Sequence, residues 1–315
     1  MASVGAWDRR DDATVGRAHE RIMDGVLLVD KPAAMSSADV VRRVKAKVKP
    51  ARVGHLGTLD PLATGLLPIL VGQGTKLAPF LEKGDKEYQG IIALGAETDT
   101  LDRYGEVVRV AAVPALDRAA LAQVAARFVG RIEQVPPLYS AIKRDGVPLY
   151  KLARSGGAVE PAPSRTVEII SLELEPAGES SLRFRVICSL GTYVRSLARD
   201  IGIALGSAAH LTELRRLRSS GFSIADAHSL DQALAGIERG DSSVLIGMRE
   251  ALAAMAEVSV NEAVRNRLYN GDGAALDGVS VHDPGPFKVV CNRELVAIAE
   301  LGIDRRASLL RVFPA

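Results

Sequence analysis

The chain has 315 residues, of which 47% are hydrophobic and 25% charged, and a formal net charge of +2. That balance is ordinary for a soluble globular protein and excludes a histone-like polycation; with no apolar run of the length a bilayer requires, it also excludes a helical membrane protein. The length exceeds what one hydrophobic core serves well, so two domains are expected.

Met1 to Arg21 is polar and charged, lacks the apolar stretch of a secretory signal, and reads as a flexible tail, which makes the cytoplasm the expected location. Gly25 to Val29 reads as a strand that Lys31-Pro32 ends, because proline cannot donate to a ladder. Ser36-Ser37-Ala38-Asp39 has the pattern of a capping box, and Val40, Val41, Val44 and Val48 follow at helical spacing with Arg42, Arg43, Lys45 and Lys47 on the other faces. A glycine-rich loop, Gly54 to Gly65, precedes an apolar strand from Leu66 to Val71, and Gly72 to Lys76 reads as a turn before a helix.

Tyr88 to Leu94 and Glu106 to Val110 read as strands and 115–128 as a helix. Gly130 to Pro163 is rich in proline and glycine and shows no period. Strands return at Val167 to Leu174 and Leu182 to Cys188, the second alternating Leu182, Phe184, Val186 and Cys188 with Arg183 and Arg185. Residues 193–205 read as a helix, Glu238 to Ser243 as a linker, and Pro284 to Glu300 with Ser308 to Phe313 as a small β-rich module.

Several chemistries have no carrier. Cys188 and Cys291 are far apart, form no CxxC pair and read as buried free thiols in a reducing compartment. There is no HExxH, no GxSxG, and Gly72 to Lys76 lacks phosphate-loop spacing. Neither metal nor cofactor is expected, so catalysis would fall to side chains. The informative segment is Gly54-His55-Leu56-Gly57-Thr58-Leu59-Asp60-Pro61-Leu62-Ala63-Thr64-Gly65, where one carboxylate stands between glycine turns just before a strand. Alone, Asp60-Pro61 signals a turn.

The whole segment resembles the GHxGxLDPxAxG loop of the TruB family of pseudouridine synthases, in which the loop aspartate is catalytic. Further blocks resemble the family in order: Gly25 to Ser37, Lys86-Glu87-Tyr88, Gly95 to Gly105, Gln134 to Ala141 with Leu149 to Gly156, Cys188 to Gly206, and Leu214-Arg215-Arg216. The likeness runs over roughly residues 25–225. Leu56, Ala34, Ser36 and Leu190 depart from the family's usual Thr, Gly, Thr and Lys.

The resemblance implies an α+β catalytic domain over 22–244, a mixed and mostly antiparallel sheet with flanking helices, after a tail over 1–21. It further implies an RNA-gripping thumb over about 131–165 and a PUA-like RNA-binding domain over 245–315. It implies isomerisation of uridine 55 in the tRNA T loop by base flipping, with Asp60 catalytic, Arg195 paired to it, and Tyr88 stacking on the uracil and handling the C5 proton. His55, Tyr193, Leu214 and Lys31 become substrate-binding candidates, with Lys31 at the rim of the site. Attack at the sugar, addition to C6 and abstraction of the sugar 2′ proton all remain open to Asp60.

Charge supports RNA binding separately: 181–218 holds seven arginines against two acids, and 131–165 holds six Lys/Arg against three. The expected partner is the tRNA T stem-loop, with no membrane and a monomeric state. A tRNA-folding chaperone without catalysis, and a pseudouridine synthase acting on another RNA, remain as alternatives.

Overall fold

The computed structural model describes residues 24–48, 52–140, 142–144, 146–149, 152, 160, 162–279, 281 and 285–314. The expected tail over 1–21 and the centre of the expected thumb lie outside them. In chain order the first half forms β1 (Gly25–Lys31), α1 (Ser37–Lys47), β2 (Val53–His55), β3 (Thr64–Val71), the short helix α2 (Ala78–Leu81), β4 (Lys86–Leu94), β5 (Ala96–Thr98), β6 (Val107–Val110), α3 (Arg118–Phe128), β7 (Gly130–Gln134) and the two-residue strands β8 (Lys143–Arg144) and β9 (Val147–Pro148). The second half forms β10 (Arg165–Pro176), β11 (Ser181–Cys188), α4 (Val194–Ala204), β12 (Ala209–Ser219), β13 (Phe222–Ser223), β14 (His228–Ser229), α5 (Leu230–Glu238), β15 (Leu245–Ile246), α6 (Met248–Ala251), β16 (Glu257–Ser259), α7 (Glu262–Tyr269), β17 (Phe287–Cys291), β18 (Glu294–Leu301) and β19 (Ala307–Val312).

The spine is one mixed sheet in the order β14-β1-β3-β12-β4-β11-β10-β7. Its pairings are antiparallel except β1 with β14 and β3 with β12. This is the expected α+β class. The side-chain period of two makes one face apolar: on β11, Leu182, Phe184, Val186 and Cys188 are buried while Arg183 and Arg185 are exposed. That apolar face packs against α1, α3, α4 and α5 through Val40, Val44, Leu121, Val124, Leu197, Ile201, Leu230 and Ile237. α1 starts on the expected capping box, with the Ser36 hydroxyl accepting from Asp39 N–H at 3.2 Å and the Asp39 carboxylate accepting from Ser36 N–H at 3.0 Å.

The opposite face is shared. Over β1 and β3, Val26, Leu28, Leu66 and Leu70 pack with Leu295, Ile298 and Phe313 from the β-rich C-terminal sheet, ordered β16-β17-β18-β19. Leu245 and Ile246 still belong to the large sheet, where they pair with β1. Over β10 and β11 the same face is left to solvent.

Several elements differ from the sequence reading, among them three that build or cover the large sheet. β12, at the centre of the sheet, is unannounced because Arg215, Arg216 and Arg218 break the apolar alternation, and Arg216 proves to be wholly buried. Gly130–Gln134, within the stretch read as irregular, is a strand because it completes the sheet edge beside β10. Helix α5 was not anticipated.

Phe313 joins the C-terminal sheet to the large one, and Lys76 spans the same seam, donating to Val312 O at 3.1 Å with its ammonium 5.6 Å from the Phe313 ring centroid. Phe313→Ala is expected to lower unfolding free energy by about 3 kcal/mol, the usual cost of emptying a buried aromatic site. Urea denaturation measures it, and an unchanged midpoint would show that the seam carries no stability.

Candidate active site

β2 and β3 pair from Val53↔Val71 to His55↔Ile69, which leaves Leu56–Ala63 as the connecting loop. Leu56, Leu59, Leu62 and Ala63 are buried, so the loop is anchored by its apolar side chains. Asp60 begins a turn in which its carbonyl accepts from Ala63 N–H at 3.0 Å. Aspartate followed by proline suits the first two positions of such a turn. The turn reading of Asp60-Pro61 is therefore correct, and the turn is what presents the carboxylate.

Both neighbours of Asp60 are clamped. The Ser37 hydroxyl accepts from Leu59 N–H at 2.8 Å and donates to Leu59 O at 3.0 Å. Pro61 O accepts from Ala34 N–H at 2.9 Å. Ala34 holds φ at 59°, a left-handed conformation that favours glycine. Its position is one where the family resemblance calls for glycine.

Arg195 reaches this loop from the first turn of α4. Its Nε donates to Asp60 Oδ2 at 2.8 Å, Nη1 to Thr100 O at 2.9 Å and Nη2 to Tyr139 O at 2.9 Å. Asp102 Oδ2 stands 4.0 Å from Nη1. The arginine side chain is 6% exposed and the aspartate side chain 36%, so the cation is sealed while the carboxylate is open on one side. One edge nitrogen serves Asp60, and the rest of the guanidinium is fixed by carbonyls.

Lys31 is wholly buried and is not at the rim. Its ammonium donates to Pro32 O at 2.8 Å and Met35 O at 2.6 Å. Burial lowers its pKa from the usual 10.5 to about 8, against the opposing pull of Asp60. Tyr88 is buried on β4, in register with Arg216 and Val186. Burial raises the pKa of its hydroxyl, and the field of Asp60 adds to the rise while Arg216 opposes it. His55 ends β2, half-buried, with no partner for Nδ1 among the described residues. Burial and the charge of Arg216 hold its pKa below the ordinary range, which favours the neutral ring at pH 7.

Tyr193 caps α4. The Gln134 amide accepts its N–H at 2.7 Å and donates to its carbonyl at 3.1 Å, while the Arg165 guanidinium lies 4.3 Å from its ring centroid. Leu214 is 7% exposed on β12. With Leu62 and Thr64 it lines a cavity of about 420 Å³. Asp60 is outside that lining, although Leu62 belongs to its loop.

Sequence reasoning missed two positioning groups. Ser37 sat inside a capping pattern that gave no hint of its grip on Leu59. Arg216 stood in a recognised block without a role; it is 0% exposed, and donates from Nε to Leu66 O at 2.7 Å and from Nη2 to Gly57 O at 3.0 Å. Gly57 takes φ 64°, and a Cβ there would lie 2.9 Å from Lys86 Nζ and 3.3 Å from Arg216 Nη1. Among the described residues, no three His, Cys, Asp or Glu side chains gather as a metal site, and no helix is long and apolar enough to cross a membrane.

The same fold occurs in a chain of the crystal structure of a Cbf5–Nop10–Gar1 complex, with a TM-score of 0.70 and 25% identity over 93% of this chain and 86% of that one. Residues 43–194 match the profile of the TruB family pseudouridylate synthase N-terminal domain, and 195–255 that of the tRNA pseudouridylate synthase B C-terminal domain. The protein named tRNA pseudouridine synthase B of Burkholderia lata is 41% identical over 93% of this chain and 89% of its own length. Its namesake in Geobacter sulfurreducens is 43% identical over 79% and 82%. The chain belongs to the TruB family of pseudouridine synthases.

The buried Lys31 has a consequence for stability. Its folded pKa of about 8 lies below the 10.5 of the exposed side chain, so between those values the unfolded chain holds more protons. Stability of the wild type relative to Lys31→Met should be flat below pH 8 and rise from pH 8 to 10.5, by at most about 1.4 kcal/mol per pH unit. Denaturant midpoints of both proteins across that range measure it, and a difference that stays flat or falls would contradict the assignment.

Proposed function

We propose that the chain isomerises uridine 55 in the T loop of tRNA to pseudouridine. The observation that carries the reading is the Asp60–Arg195 ion pair: a turn-mounted carboxylate, open on one side, held against a buried guanidinium. The tRNA substrate comes from the names of the relatives, and the T loop from the sequence resemblance. The exposed arginines of β11 and the half-free sheet face suit a folded RNA.

The reaction breaks the N1–C1′ bond, turns the uracil and joins C5 to C1′; the C5 proton is lost and N1 gains one. The target base leaves its stack to be reached, at a cost of a few kcal/mol. Ionised Asp60 starts the chemistry by one of three routes, attack at the sugar, addition to C6 or abstraction of the 2′ proton. Arg195 holds the carboxylate in place. Tyr88 stacks on the uracil and takes part in moving the C5 proton. Tyr193 and Leu214 border the uracil, His55 stacks where the flipped nucleotide has left, and Lys31 supports the site from beneath. The C-terminal sheet adds RNA contacts as a PUA-like module, the thumb over about 131–165 grips the RNA, and the protein acts as a cytoplasmic monomer.

Asp60→Asn is expected to abolish pseudouridine formation in tRNA while leaving affinity within about tenfold, or 1.4 kcal/mol. Nucleoside analysis and filter binding measure the two quantities, and substantial turnover by the variant would remove Asp60 from the chemistry.

Arg195→Lys keeps the charge but cannot serve Asp60, Thr100 and Tyr139 in three fixed directions. Its single-turnover rate should fall at least about tenfold, with Arg195→Met lower still and tRNA affinity much less affected. Wild-type rates combined with weak tRNA binding would make Arg195 a phosphate contact instead.

A further inference from the structure

The turn between β5 and β6, Asp99–Glu106, is built rigidly. Asp99 N–H donates to Glu106 O at 3.0 Å and Glu106 N–H to Asp99 Oδ1 at 2.9 Å. The Asp102 carboxylate accepts from Thr100 Oγ1 at 2.8 Å and Tyr104 N–H at 3.0 Å. Gly105 is packed so closely that a Cβ there would strike Asp99 Oδ1 and Thr100 Oγ1. The turn docks on β12, where Leu211 N–H donates to Leu101 O and Arg103 N–H to Leu211 O, both at 3.0 Å.

Further along β12, Arg215 and Arg216 pair with Thr64 and Gly65 of β3. Thr212 to Leu214 therefore lies in a gap between β3 and the turn, and the 420 Å³ cavity opens there. That volume falls within the range of small-ligand pockets. Three arginines line it, Arg103, Arg183 and Arg215, against the single carboxylate of Glu213. Arg215 is committed to Asp30 through contacts of 3.0 and 2.7 Å. Among the described residues, no ion pair involves Arg103 or Arg183. Tyr104 is outside the lining but adjoins Arg103; it is 57% exposed, with the Arg103 guanidinium 5.2 Å from its ring centroid and a 3.3 Å hydrogen bond from Arg103 Nη2 to its hydroxyl.

We propose that Arg103, Arg183 and Tyr104 form a subsite for one unstacked nucleotide adjacent to the target uridine, the two arginines taking its phosphate and Tyr104 stacking on its base. This rests on the reading that an RNA with a flipped uridine occupies the site. An exposed aromatic ring on a turn held by its own hydrogen bonds is well prepared for stacking. Two unpaired cations facing one cavity match a phosphodiester. The turn also carries Thr100, whose carbonyl accepts from Arg195. Subsite and catalytic ion pair thus share one rigid piece of backbone, which fixes the spacing between the nucleotides they hold.

The test is equilibrium binding of tRNA, across salt concentration, to the wild type, Tyr104→Ala, Tyr104→Phe and the double variant Arg103→Met/Arg183→Met. It is repeated with T-arm RNAs abasic at the nucleotide before or after the target. Tyr104→Ala should weaken binding about tenfold with the salt slope kept, and Tyr104→Phe should bind like the wild type. The double arginine variant should flatten the slope of log Kd against log salt by about 0.7, one phosphate's worth for a single strand. The Tyr104→Ala loss should vanish on one of the two abasic RNAs and persist on the other. Wild-type binding by Tyr104→Ala, an equal loss on both abasic RNAs, an unaltered salt slope in the arginine variant, or no tRNA binding by the wild type would each overturn the subsite. A wild type that binds with this pattern but forms no pseudouridine would instead overturn the proposed reaction and leave the subsite standing.

Discussion

The contact on which the rest depends is the one between Asp60 and Arg195, 135 positions apart in the chain. A carboxylate in a narrow loop and a guanidinium on a helix meet only if the sheet sets β3, which follows the loop, against β12, which follows the helix. The parallel pairing of Arg215 with Thr64 and Arg216 with Gly65 makes that joint. The α1 side contributes as well, since Ser37 and Ala34 hold the residues on either side of Asp60. Three segments distant from the loop in sequence thus fix one carboxylate, and the sheet is the frame that lets them.

Beneath the loop lies a second constraint, a floor of cations. Lys31 and Arg216 are wholly buried, and burial lowers the pKa of both, as it does for Lys86. Buried charge is costly unless hydrogen-bonded. Lys31 and Arg216 are bonded to backbone carbonyls, Lys31 to those of Pro32 and Met35, Arg216 to those of Gly57 and Leu66. The cost is therefore turned to holding the backbone: Arg216 grips the loop near its start and the strand just past its end. Gly57 is favoured in that loop by its φ of 64°, and a Cβ there would also crowd the ends of the Lys86 and Arg216 side chains.

Much of this was legible in local pattern. The alternation of β11, the capping box of α1 and the turn at Asp60-Pro61 are short-range rules, and the structure keeps all three. The site residues Asp60, Tyr88 and Arg195 entered through the family resemblance, because no local rule pairs a loop aspartate with an arginine on a remote helix. What stayed hidden was the polar interior. Arg215 and Arg216 are neighbours of like type, yet one forms a half-exposed pair with Asp30 and the other is sealed. Strand alternation sends them to opposite faces, and that became visible only once β12 was known to be central. Lys31 was misplaced at the rim for the same reason: a lysine after a strand ordinarily seeks water, and the carbonyls that hold it inward come from a turn that the sequence does not announce.

The two faces of the sheet divide the work between them. The face toward the helices is a continuous apolar core, and Leu214 belongs to it. The other face carries Arg183 and Arg185 in the open and is closed over β1 and β3 by the C-terminal sheet. The gap along β12, between the turn at 101–103 and the start of β3, is where residues of both faces line one cavity, with Leu62 and Leu214 from the core meeting Arg103 and Arg183 from the charged surface. Such a junction suits a ligand that is apolar and planar at one end and anionic at the other, as a nucleotide is. The placement of the carboxylate loop beside that gap follows from one feature of topology. β3 runs parallel to β12 and begins only at Thr64, so the segment just before it, which carries Asp60 in its turn, contributes Leu62 to the lining of the opening.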